Sequence, residues 1–462
     1  MELIAKTEAK RLALFHLAQA FGIADADEAE QLERNREMLV RIRRKGRTAL
    51  GRKIIAGKST ADSASALGLA FAQAAIQVGG HTPPYGVLTG VRPVKVALRY
   101  LNAGRKEGSR LLEEKFLVSP DKGALLLELA ETEVREKREN EVMLYVSIPF
   151  CPTRCRYCSF ISSSAPDHLA MIPAYLDLLK QELARTGEGL ASLGKTVSAV
   201  YVGGGTPGIL STEQILDLAD SIRKDFGTDI PEFTFEIGRP DTVTTEKLSA
   251  LKEAGVGRVC INPQTTRDEV LAINGRSHSA KDFFRAMETA KSLSFRAVNC
   301  DLIAGLPGDD RAGFLNSVKD VLALAPENVT IHALCRKKSA ADQTDRTNGF
   351  FGITEAVARS HRLCKEKGLM PYYLYRQKNA VAGLENTGFA LPGTLCRYNL
   401  CMMEDLCHIA ACGAGAIGKV VPPRGGKICR FPRPKYPFEY LREPERIPDL
   451  CRAFTEAVKE LV

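Results

Sequence analysis

The chain contains no hydrophobic run long enough to span a membrane, and its N-terminus lacks the uncharged core of a signal peptide. Glu2, Lys6 and Glu8 already interrupt the first apolar residues. Internal repeats and low-complexity tracts are also missing from the sequence. These absences argue against a membrane-spanning, secreted or repeat protein, and we expect a globular protein of the cytoplasm.

A strong excess of one charge is missing as well. The chain of 462 residues carries 64 basic against 55 acidic residues, for a net charge of +9. This mild excess does not imply a nucleic-acid partner. Much of it lies in RIRRKGRTALGRK, residues 41–53. We interpret this segment as a solvated face, which could also attract a polyanion or a substrate with several carboxylates.

The length and an apolar content of 45% allow large cores and predict two to three domains. Residues 1–140 read as a mostly helical region of unknown role, with Ala- and Leu-rich stretches such as ADSASALGLAFAQAAIQV. Residues 341–462 have a mixed pattern and are predicted to form a small α+β C-terminal domain.

Residues 141–340 show short β-branched or aromatic runs that alternate with helical segments. This alternation predicts parallel strands with right-handed crossovers, and hence an α/β fold with a partial (β/α) barrel. Active sites on such barrels lie at the carboxyl ends of the strands. The predicted strands are EVMLYVSI, TVSAVYV, PEFTFEI, GVGRVCI, AVNCDLI and NVTIHAL.

Three cysteines follow the first of these strands in YVSIPFCPTRCRYCSF. Cys151, Cys155 and Cys158 can each bind a different iron of a [4Fe–4S] cluster, which leaves the fourth iron open. A structural zinc site would normally bring a fourth Cys or His at a recognisable distance, and none follows in the next dozen residues. Chance proximity and a structural zinc site remain the alternatives.

The cysteine run resembles the radical S-adenosylmethionine (SAM) superfamily, whose pattern is C-x3-C-x2-C with an aromatic residue before the last Cys, here Tyr157. The segments YVSIPFC, GGGTP and DLIAGLPGD are together similar to the oxygen-independent coproporphyrinogen III oxidase family. The similarity covers about Glu141 to Val421. It implies one [4Fe–4S] cluster and two SAM molecules as cofactors.

Polar side chains at or just beyond several predicted strand ends suit a bound SAM. The amide of Gln264, the guanidinium of Arg276 and the carboxylate of Asp301 suit the carboxylate, ribose and ammonium of a second SAM. Glu236 ends the strand PEFTFEI, and an exposed strand-end carboxylate is the alternative interpretation of this residue. Tyr145 is the candidate catalytic residue. The resemblance assigns Tyr145, Gly204 and Glu236 to the cluster-bound SAM, Tyr157, Gly205, Thr206, Gln264, Arg276, Asp301 and Ala333 to the second SAM, and Ile417 to closure on the first.

The reaction implied by the resemblance is the oxidative decarboxylation of two propionates of coproporphyrinogen III, which gives protoporphyrinogen IX in anaerobic haem biosynthesis. The expected partners are a tetrapyrrole with propionate groups and an electron donor such as flavodoxin or ferredoxin. Four substrate carboxylates call for cations near the strand ends, although such residues could equally be solvated. The candidates are Arg239, Arg258, Arg336, Lys337 and Lys338.

Two other functions stay open on the sequence. The characterised oxidase has His in YVHIPFC where this chain has Ser147, and Gly-Cys where it has Ser159 and Phe160. Related haem chaperones carry His-Asn-x-x-Tyr-Trp, where this chain has CRYNLCMM and no tryptophan. The alternatives are a haem-binding or haem-trafficking protein, and a radical SAM enzyme acting on another tetrapyrrole.

Four cysteines near the C-terminus raise the hypothesis of a second cluster. Cys396, Cys401, Cys407 and Cys412 are separated by four, five and four residues, which matches no common cluster pattern. Buried thiols that behave as small hydrophobic side chains are the favoured alternative. The same interpretation applies to Cys260, Cys300, Cys335, Cys364, Cys429 and Cys451.

Overall fold

The computed structural model describes residues 1–34, 36–56, 60–90, 92–138, 141–158, 164, 166–335, 351–377, 379–422 and 426–461. The chain divides into two compact units. The first comprises Met1–Arg135 and Leu374–Glu385, and the second comprises Glu136–Tyr373 and Asn386–Val462.

The first unit contains a four-stranded sheet in the order β1-β2-β3-β4. The strands are β1 (Glu2–Ile4), β2 (Glu28–Arg34), β3 (Glu37–Arg44) and β4 (Arg47–Ile54). The helices are α1 (Glu8–Ala20), α2 (Thr60–Gln77), α3 (Val94–Ala97), α4 (Arg105–Phe116) and α5 (Pro120–Glu136), the last of which ends at the division between the units.

The expectation of a mostly helical N-terminal region missed this sheet. Met38, Val40 and Ile42 on β3 are fully buried and alternate with Leu39 and Arg41, which are not buried; this is the period of a strand with one covered face. Lys45 and Gly46 both have positive φ, 49° and 75°, as a tight hairpin turn requires. The many charges of this hairpin obscured its short apolar alternation in the sequence.

The second unit is organised around an 11-stranded sheet in the order β11-β12-β10-β9-β8-β7-β6-β5-β13-β14-β15. All six strands predicted from the alternating pattern are present. The strands are β5 (Val142–Ile148), β6 (Val197–Gly204), β7 (Glu232–Gly238), β8 (Arg258–Ile261), β9 (Ala297–Ala304), β10 (Asn328–Ala333), β11 (Met370–Arg376), β12 (Glu385–Ala390), β13 (His408–Cys412), β14 (Ile417–Val420) and β15 (Cys429–Pro432).

In the spatial order β10-β9-β8-β7-β6-β5-β13, every pair of neighbouring strands is parallel. On the two sides of this parallel part, β12 pairs antiparallel with β10, and β14 pairs antiparallel with β13 and with β15. Helices connect the parallel strands, and the result is a partial (β/α) barrel, as predicted. The helices are α6 (Pro166–Leu169), α7 (Ile172–Ser192), α8 (Thr212–Phe226), α9 (Thr245–Glu253), α10 (Asp268–Ile273), α11 (Ala280–Ser292), α12 (Arg311–Ala323), α13 (Ile353–Glu366), α14 (Arg397–Glu404), α15 (Pro437–Arg442) and α16 (Ile447–Lys459).

The predicted boundary near residue 340 does not separate the two compact units. β13 lies beside β5 in parallel register, with Ala411 opposite Tyr145, and β12 lies beside β10. The apolar residues of β13 are buried in the same sheet as the earlier strands. Strand pairing across a long stretch of sequence, which composition does not reveal, therefore joins the predicted C-terminal domain to the barrel.

A buried ion pair fastens the segment after β13 to helix α7. Glu182 is fully buried, and its carboxylate pairs with the guanidinium of Arg433. The same carboxylate accepts hydrogen bonds from the Gly413 N–H at 2.8 Å and the Tyr440 hydroxyl at 2.6 Å. Because both carboxylate oxygens are paired, Glu182 fixes the loop that leads from β13 to β14.

Replacing Glu182 by Ala should destabilise the protein strongly, because the Arg433 guanidinium would remain buried without its anion. We expect a loss of about 3–5 kcal/mol in the free energy of unfolding, as is usual for breaking one side of a buried pair. Chemical denaturation measures this loss. Glu188→Ala, an exposed position on the same helix, is the matched control and should change stability little; equal effects of both substitutions would contradict the assignment.

Candidate functional site

The three predicted cluster cysteines lie on the loop that follows β5 at the carboxyl edge of the sheet. Cys151 and Cys155 are buried, and Cys158 is partly exposed. The Cys158 N–H donates to the Cys155 carbonyl at 3.1 Å, which makes a tight turn between the last two cysteines. None of the thirteen cysteines, all in the described part of the chain, forms a disulfide, so the thiols are available as ligands.

Two neighbouring segments hold the cysteine loop in place. Arg239, at the end of β7, pairs with Asp241 at 2.7 Å and donates to the Thr153 carbonyl at 3.3 Å. The Arg156 N–H donates to the Asn274 carbonyl at 3.1 Å. Arg239 was predicted as a cation for substrate carboxylates. The structure instead buries it, at 3% exposure, as a support of the loop.

The glycines after β6 allow the backbone to approach the cysteine loop closely. A Cβ atom on Gly205 would lie 2.5 Å from the Phe150 carbonyl oxygen and 3.0 Å from the Cys151 sulfur, so no side chain fits there. The next residue, Thr206, donates its N–H to the Phe150 carbonyl at 2.7 Å. Its hydroxyl donates to the Cys151 sulfur at 3.4 Å. Gly205 and Thr206 therefore border the first cysteine.

Arg276 borders the second cysteine. Its guanidinium donates to the Tyr157 hydroxyl at 2.9 Å, to the Asn262 carbonyl at 2.7 Å and to the Cys155 sulfur at 3.8 Å. Burial raises the pKa of Tyr157 well above its ordinary value, so its hydroxyl stays neutral. The Nε of Arg276 has no hydrogen-bond partner among the described residues, which leaves one donor for a ligand.

Asn262 links Glu236 on β7 to Asp301 on β9, and both residues lie in the carboxyl-terminal halves of their strands. The Asn262 amide donates to Glu236 at 3.4 Å, and its side-chain oxygen accepts from the Asp301 N–H at 3.3 Å. Burial, reinforced by the charge of Asp301, raises the pKa of Glu236 to about 8. In the ligand-free protein Glu236 is therefore mostly protonated at neutral pH. Sequence reasoning missed Asn262, although it stands two residues before the predicted Gln264.

Asp301 is kept ionised by its neighbours. Burial alone would raise its pKa, but hydrogen bonds from His332 and Asn299 hold the pKa below the ordinary value. His332 Nε2 lies 3.6 Å from one carboxylate oxygen, and the Asn299 amide donates to the other at 2.8 Å. The site thus holds one neutral carboxyl group, Glu236, and one anion, Asp301.

Gln264 occupies an unusual backbone conformation beside Asp301. Its φ is +68°, and its N–H donates to the Asp301 carbonyl at 2.9 Å. The buried side-chain oxygen of Gln264 has no partner among the described residues. A strained backbone and an unsatisfied buried oxygen at one position indicate a group that is completed by a ligand.

Three tyrosine rings are stacked behind the carboxylates. Tyr145 on β5 and Tyr201 on β6 are opposite each other in register, with centroids 6.4 Å apart, and Tyr398 on α14 lies 4.7 Å from Tyr201 and 6.0 Å from Tyr145. Burial and the charge of Glu236 raise the pKa of Tyr145 far above its ordinary value. Sequence reasoning missed Tyr201, whose same-face position the strand period predicts, and Tyr398.

Of the remaining predicted site residues, Gly204 and Ala333 lie at carboxyl ends of barrel strands, whereas Ile417 lies on β14. Gly204 adopts φ +117°, and a Cβ there would lie 3.1 Å from the backbone nitrogen of Ile148. The Ala333 N–H donates to the side-chain oxygen of Asn386 at 3.1 Å, and Ala333 lies opposite Ala304 at the carboxyl ends of β10 and β9. Ile417, in contrast, is 46% exposed at the start of β14, where it lies opposite Pro432 of β15.

Arg258, a second predicted substrate cation, does not line the site. Arg258 begins β8, at the opposite edge of the sheet, and is buried in an ion pair with Glu232 at 2.9 Å. Its Nε also donates to Asn328 at 3.0 Å. Arg336, Lys337 and Lys338 lie outside the described residues.

The four C-terminal cysteines do not come together. Cys396 lies against Glu232, with 3.4 Å between sulfur and carboxylate oxygen, and Cys412 lies 3.5 Å from the Thr186 hydroxyl. Cys401 and Cys407 do approach each other, beside Glu141. Within the described part of the chain, the structure therefore contradicts a second cluster held by all four thiols.

The residues at this edge fit the cofactors that the resemblance implies. The donor set of Cys151, Cys155 and Cys158 matches three irons of a [4Fe–4S] cluster. The unpaired oxygen of Gln264 and the unpaired Nε of Arg276 suit a polar ligand beside it.

Comparison with known proteins gives three matches of interest. The Radical SAM superfamily profile matches residues 145–321. The oxygen-independent coproporphyrinogen-III oxidase-like protein HemZ of Bacillus subtilis is 32% identical over 394 residues, which cover 82% of this chain and 79% of HemZ. The heme chaperone HemW of Bacillus subtilis is 32% identical over 286 residues, which cover 60% of this chain and 70% of HemW.

Among solved structures, coproporphyrinogen III oxidase (HemN) from Escherichia coli superimposes with a TM-score of 0.51 at 21% identity. The superposition covers 69% of this chain and 73% of HemN. At this identity the likeness supports the fold. No helix in the described residues is both long and apolar enough to cross a membrane.

The raised pKa of Glu236 predicts a distinctive dependence of stability on pH. Between pH 4.5 and about pH 8 the folded protein keeps the Glu236 proton, whereas the unfolded chain has lost it. The free energy of unfolding therefore falls as the pH rises through this window, and above it Glu236 causes no further change. Glu236→Gln lacks the titration. The melting temperature of the ligand-free wild type should therefore fall relative to that of Glu236→Gln from pH 5 to pH 8; a constant or rising difference would contradict the prediction.

Proposed function

The chain belongs to the oxygen-independent coproporphyrinogen III oxidase family of the radical SAM superfamily, and from this membership we propose that it catalyses the oxidative decarboxylation of coproporphyrinogen III to protoporphyrinogen IX. The observation that carries the proposal is the contact network at the carboxyl edge of the sheet, which links the cysteine loop through Arg276, Asn262 and Asp301 to the predicted SAM residues. Family membership supplies a [4Fe–4S] cluster and SAM as cofactors.

Cys151, Cys155 and Cys158 are proposed to hold the cluster and leave one iron open. When bound, the cluster and SAM supply the one-electron chemistry that removes a hydrogen atom from the substrate. The protein binds and orients these groups and excludes water. Thr206 and Arg276 direct an O–H and an N–H to the sulfurs of Cys151 and Cys155, and such hydrogen bonds tune a cluster's reduction potential.

Tyr145, Gly204 and Glu236 are proposed to contact the cluster-bound SAM, with Ile417 closing on it. Glu236 is protonated in the ligand-free protein. A ligand ammonium beside it would favour the carboxylate, so binding would release a proton from this position. Tyr201, which belongs to the stack with Tyr145 and Tyr398, hydrogen-bonds to Glu236 and lowers its pKa, so the upward shift comes from burial and from the charge of Asp301.

The second SAM is proposed to bind at Gln264, Arg276 and Asp301, flanked by Tyr157, Gly205, Thr206 and Ala333. Gln264 offers an unpaired acceptor, Arg276 an unpaired donor, and Asp301 an anion. These three groups complement the hydroxyls, carboxylate and ammonium of an adenosyl amino acid. The propionate-binding cations stay predictions, because Arg239 is paired with Asp241 and Arg258 with the buried Glu232. The electron donor also stays a prediction.

A second candidate function is binding or transfer of haem without decarboxylation. It is favoured by the identity with HemW and by Ser147, which stands where the characterised oxidase has His. Ser147 is buried, and its hydroxyl donates to the Ala414 carbonyl at 2.8 Å. It therefore offers no titratable group to a substrate. The absence of tryptophan removes one residue of the chaperone signature.

An anaerobic assay distinguishes the two functions. The reconstituted protein is incubated with SAM, a strong reductant and coproporphyrinogen III, and porphyrins, 5′-deoxyadenosine and carbon dioxide are quantified. Formation of the divinyl product with matching 5′-deoxyadenosine supports the decarboxylase. Stoichiometric haem capture with no carbon dioxide released supports the second function, and turnover on a different tetrapyrrole alone would also reject the first.

Replacing Cys155 by Ala should abolish cluster binding and SAM cleavage, because only two thiols would remain for the cube. Iron content, visible absorbance and 5′-deoxyadenosine formation measure the loss. Cys429→Ala, an exposed thiol on β15, is the control and should retain all three properties. SAM cleavage retained by Cys155→Ala would refute the ligand assignment.

A further inference from the structure

Two cysteines and a glutamate converge at the edge of the sheet opposite to the proposed active site. One ligand atom from each of Glu141, Cys401 and Cys407 lies within 4.8 Å of the others. Cys401 is 1% exposed and Cys407 is 4% exposed, and the Glu141 side chain is 7% exposed. The proposed function uses none of these residues.

The local fold explains how these residues meet. Asp405 follows α14 with φ +51° and reverses the chain, and the Leu406 N–H donates back to the Cys401 carbonyl at 3.3 Å. The chain then enters β13, where the His408 N–H donates to the Glu141 carbonyl at 3.1 Å. Cys407 and Glu141 thus directly precede two paired parallel strands, and Cys401 on α14 lies beside them.

We propose that Glu141, Cys401 and Cys407 bind a zinc ion, with a water molecule as fourth ligand. In a tetrahedral site with Zn–S bonds of about 2.3 Å, two sulfurs are about 3.8 Å apart, within the observed limit. Two thiolates and a carboxylate are ligands that zinc accepts. The ion would fasten α14 to the starts of β5 and β13.

Arg397 holds the Glu141 side chain in place. Its guanidinium pairs with one oxygen of Glu141 at 2.6 Å and with Glu136 at 3.0 Å, whereas Lys419 pairs with Asp405 at 2.8 Å. The charge of Arg397 would offset part of the excess negative charge of three ionised ligands.

The site is separate from the cysteine loop. Glu141 precedes β5 and the cluster cysteines follow it, and a seven-residue strand spans about 20 Å. Zinc bound at one end therefore has a different ligand shell from iron at the other, and element-specific spectroscopy distinguishes them.

The test uses the full-length, cluster-loaded protein incubated with zinc and freed of loosely bound metal. We expect about one zinc ion per chain in addition to the cluster iron, with a zinc-edge X-ray absorption shell of about two sulfurs near 2.3 Å and oxygens near 2.0 Å. Cys401→Ala and Cys407→Ala should each remove the zinc while the cluster iron is unchanged. Glu141→Gln should weaken zinc binding by about 10-fold or more.

Cys364→Ala is the matched control, because Cys364 is also fully buried and lies on α13. It should retain zinc. Zinc absent from the wild type, a zinc shell without sulfur, zinc retained when both Cys401 and Cys407 are replaced, or a Cys401–Cys407 disulfide in anaerobically purified protein would each overturn the proposal. Unchanged cluster iron in the variants shows that loss of zinc does not come from misfolding.

Discussion

The parallel pairing of the seven central strands, β10-β9-β8-β7-β6-β5-β13 in spatial order, is the constraint on which the rest of the second unit depends. Parallel register places the carboxyl ends of consecutive strands on one edge of the sheet, so that Glu236, Gln264 and Asp301 become neighbours although helices separate them in sequence. The cysteine loop follows β5 at the same edge. Helices packed on the sheet bury the middle of its strands, so the residues placed to bind a ligand lie at the carboxyl ends of the strands.

Burial of charge organises that edge. Glu236 and Asp301 lie on either side of Asn262, yet their surroundings push their pKa values in opposite directions. One carboxyl group is neutral and the other ionised, so the pair avoids the repulsion between two close anions. Arg239 is paired with Asp241, and it holds the loop between Cys151 and Cys155 without adding a free positive charge. The site therefore begins with little net charge and can accept charged ligands.

The two edges of the sheet serve different purposes. At the amino end, buried pairs such as Arg258 with Glu232 join strand starts to the segment before α14. Cys401 and Cys407 lie at this end as well, where the chain returns to pair with β5. At the carboxyl end, the glycines after β6 keep the backbone bare beside the cysteines. The contacts at the amino ends of the strands stabilise the fold, whereas the residues at the carboxyl ends are placed to bind ligands.

The sequence by itself determined the six alternating strands, the three-cysteine loop and the strand-end positions of Glu236, Gln264 and Asp301, because period, spacing and order are local properties of a chain. Only the tertiary structure decided that Arg239 is a buried support of the loop, that Tyr398 stacks on the barrel tyrosines, and that four C-terminal cysteines separate while two of them meet. The four-stranded sheet near the N-terminus and the joining of the C-terminal strands to the barrel were also decided there. All of these features depend on contacts between residues that are far apart in the sequence. The partner of a side chain, its burial and its pKa are set by such spatial neighbours, and the sequence does not show which residues they are.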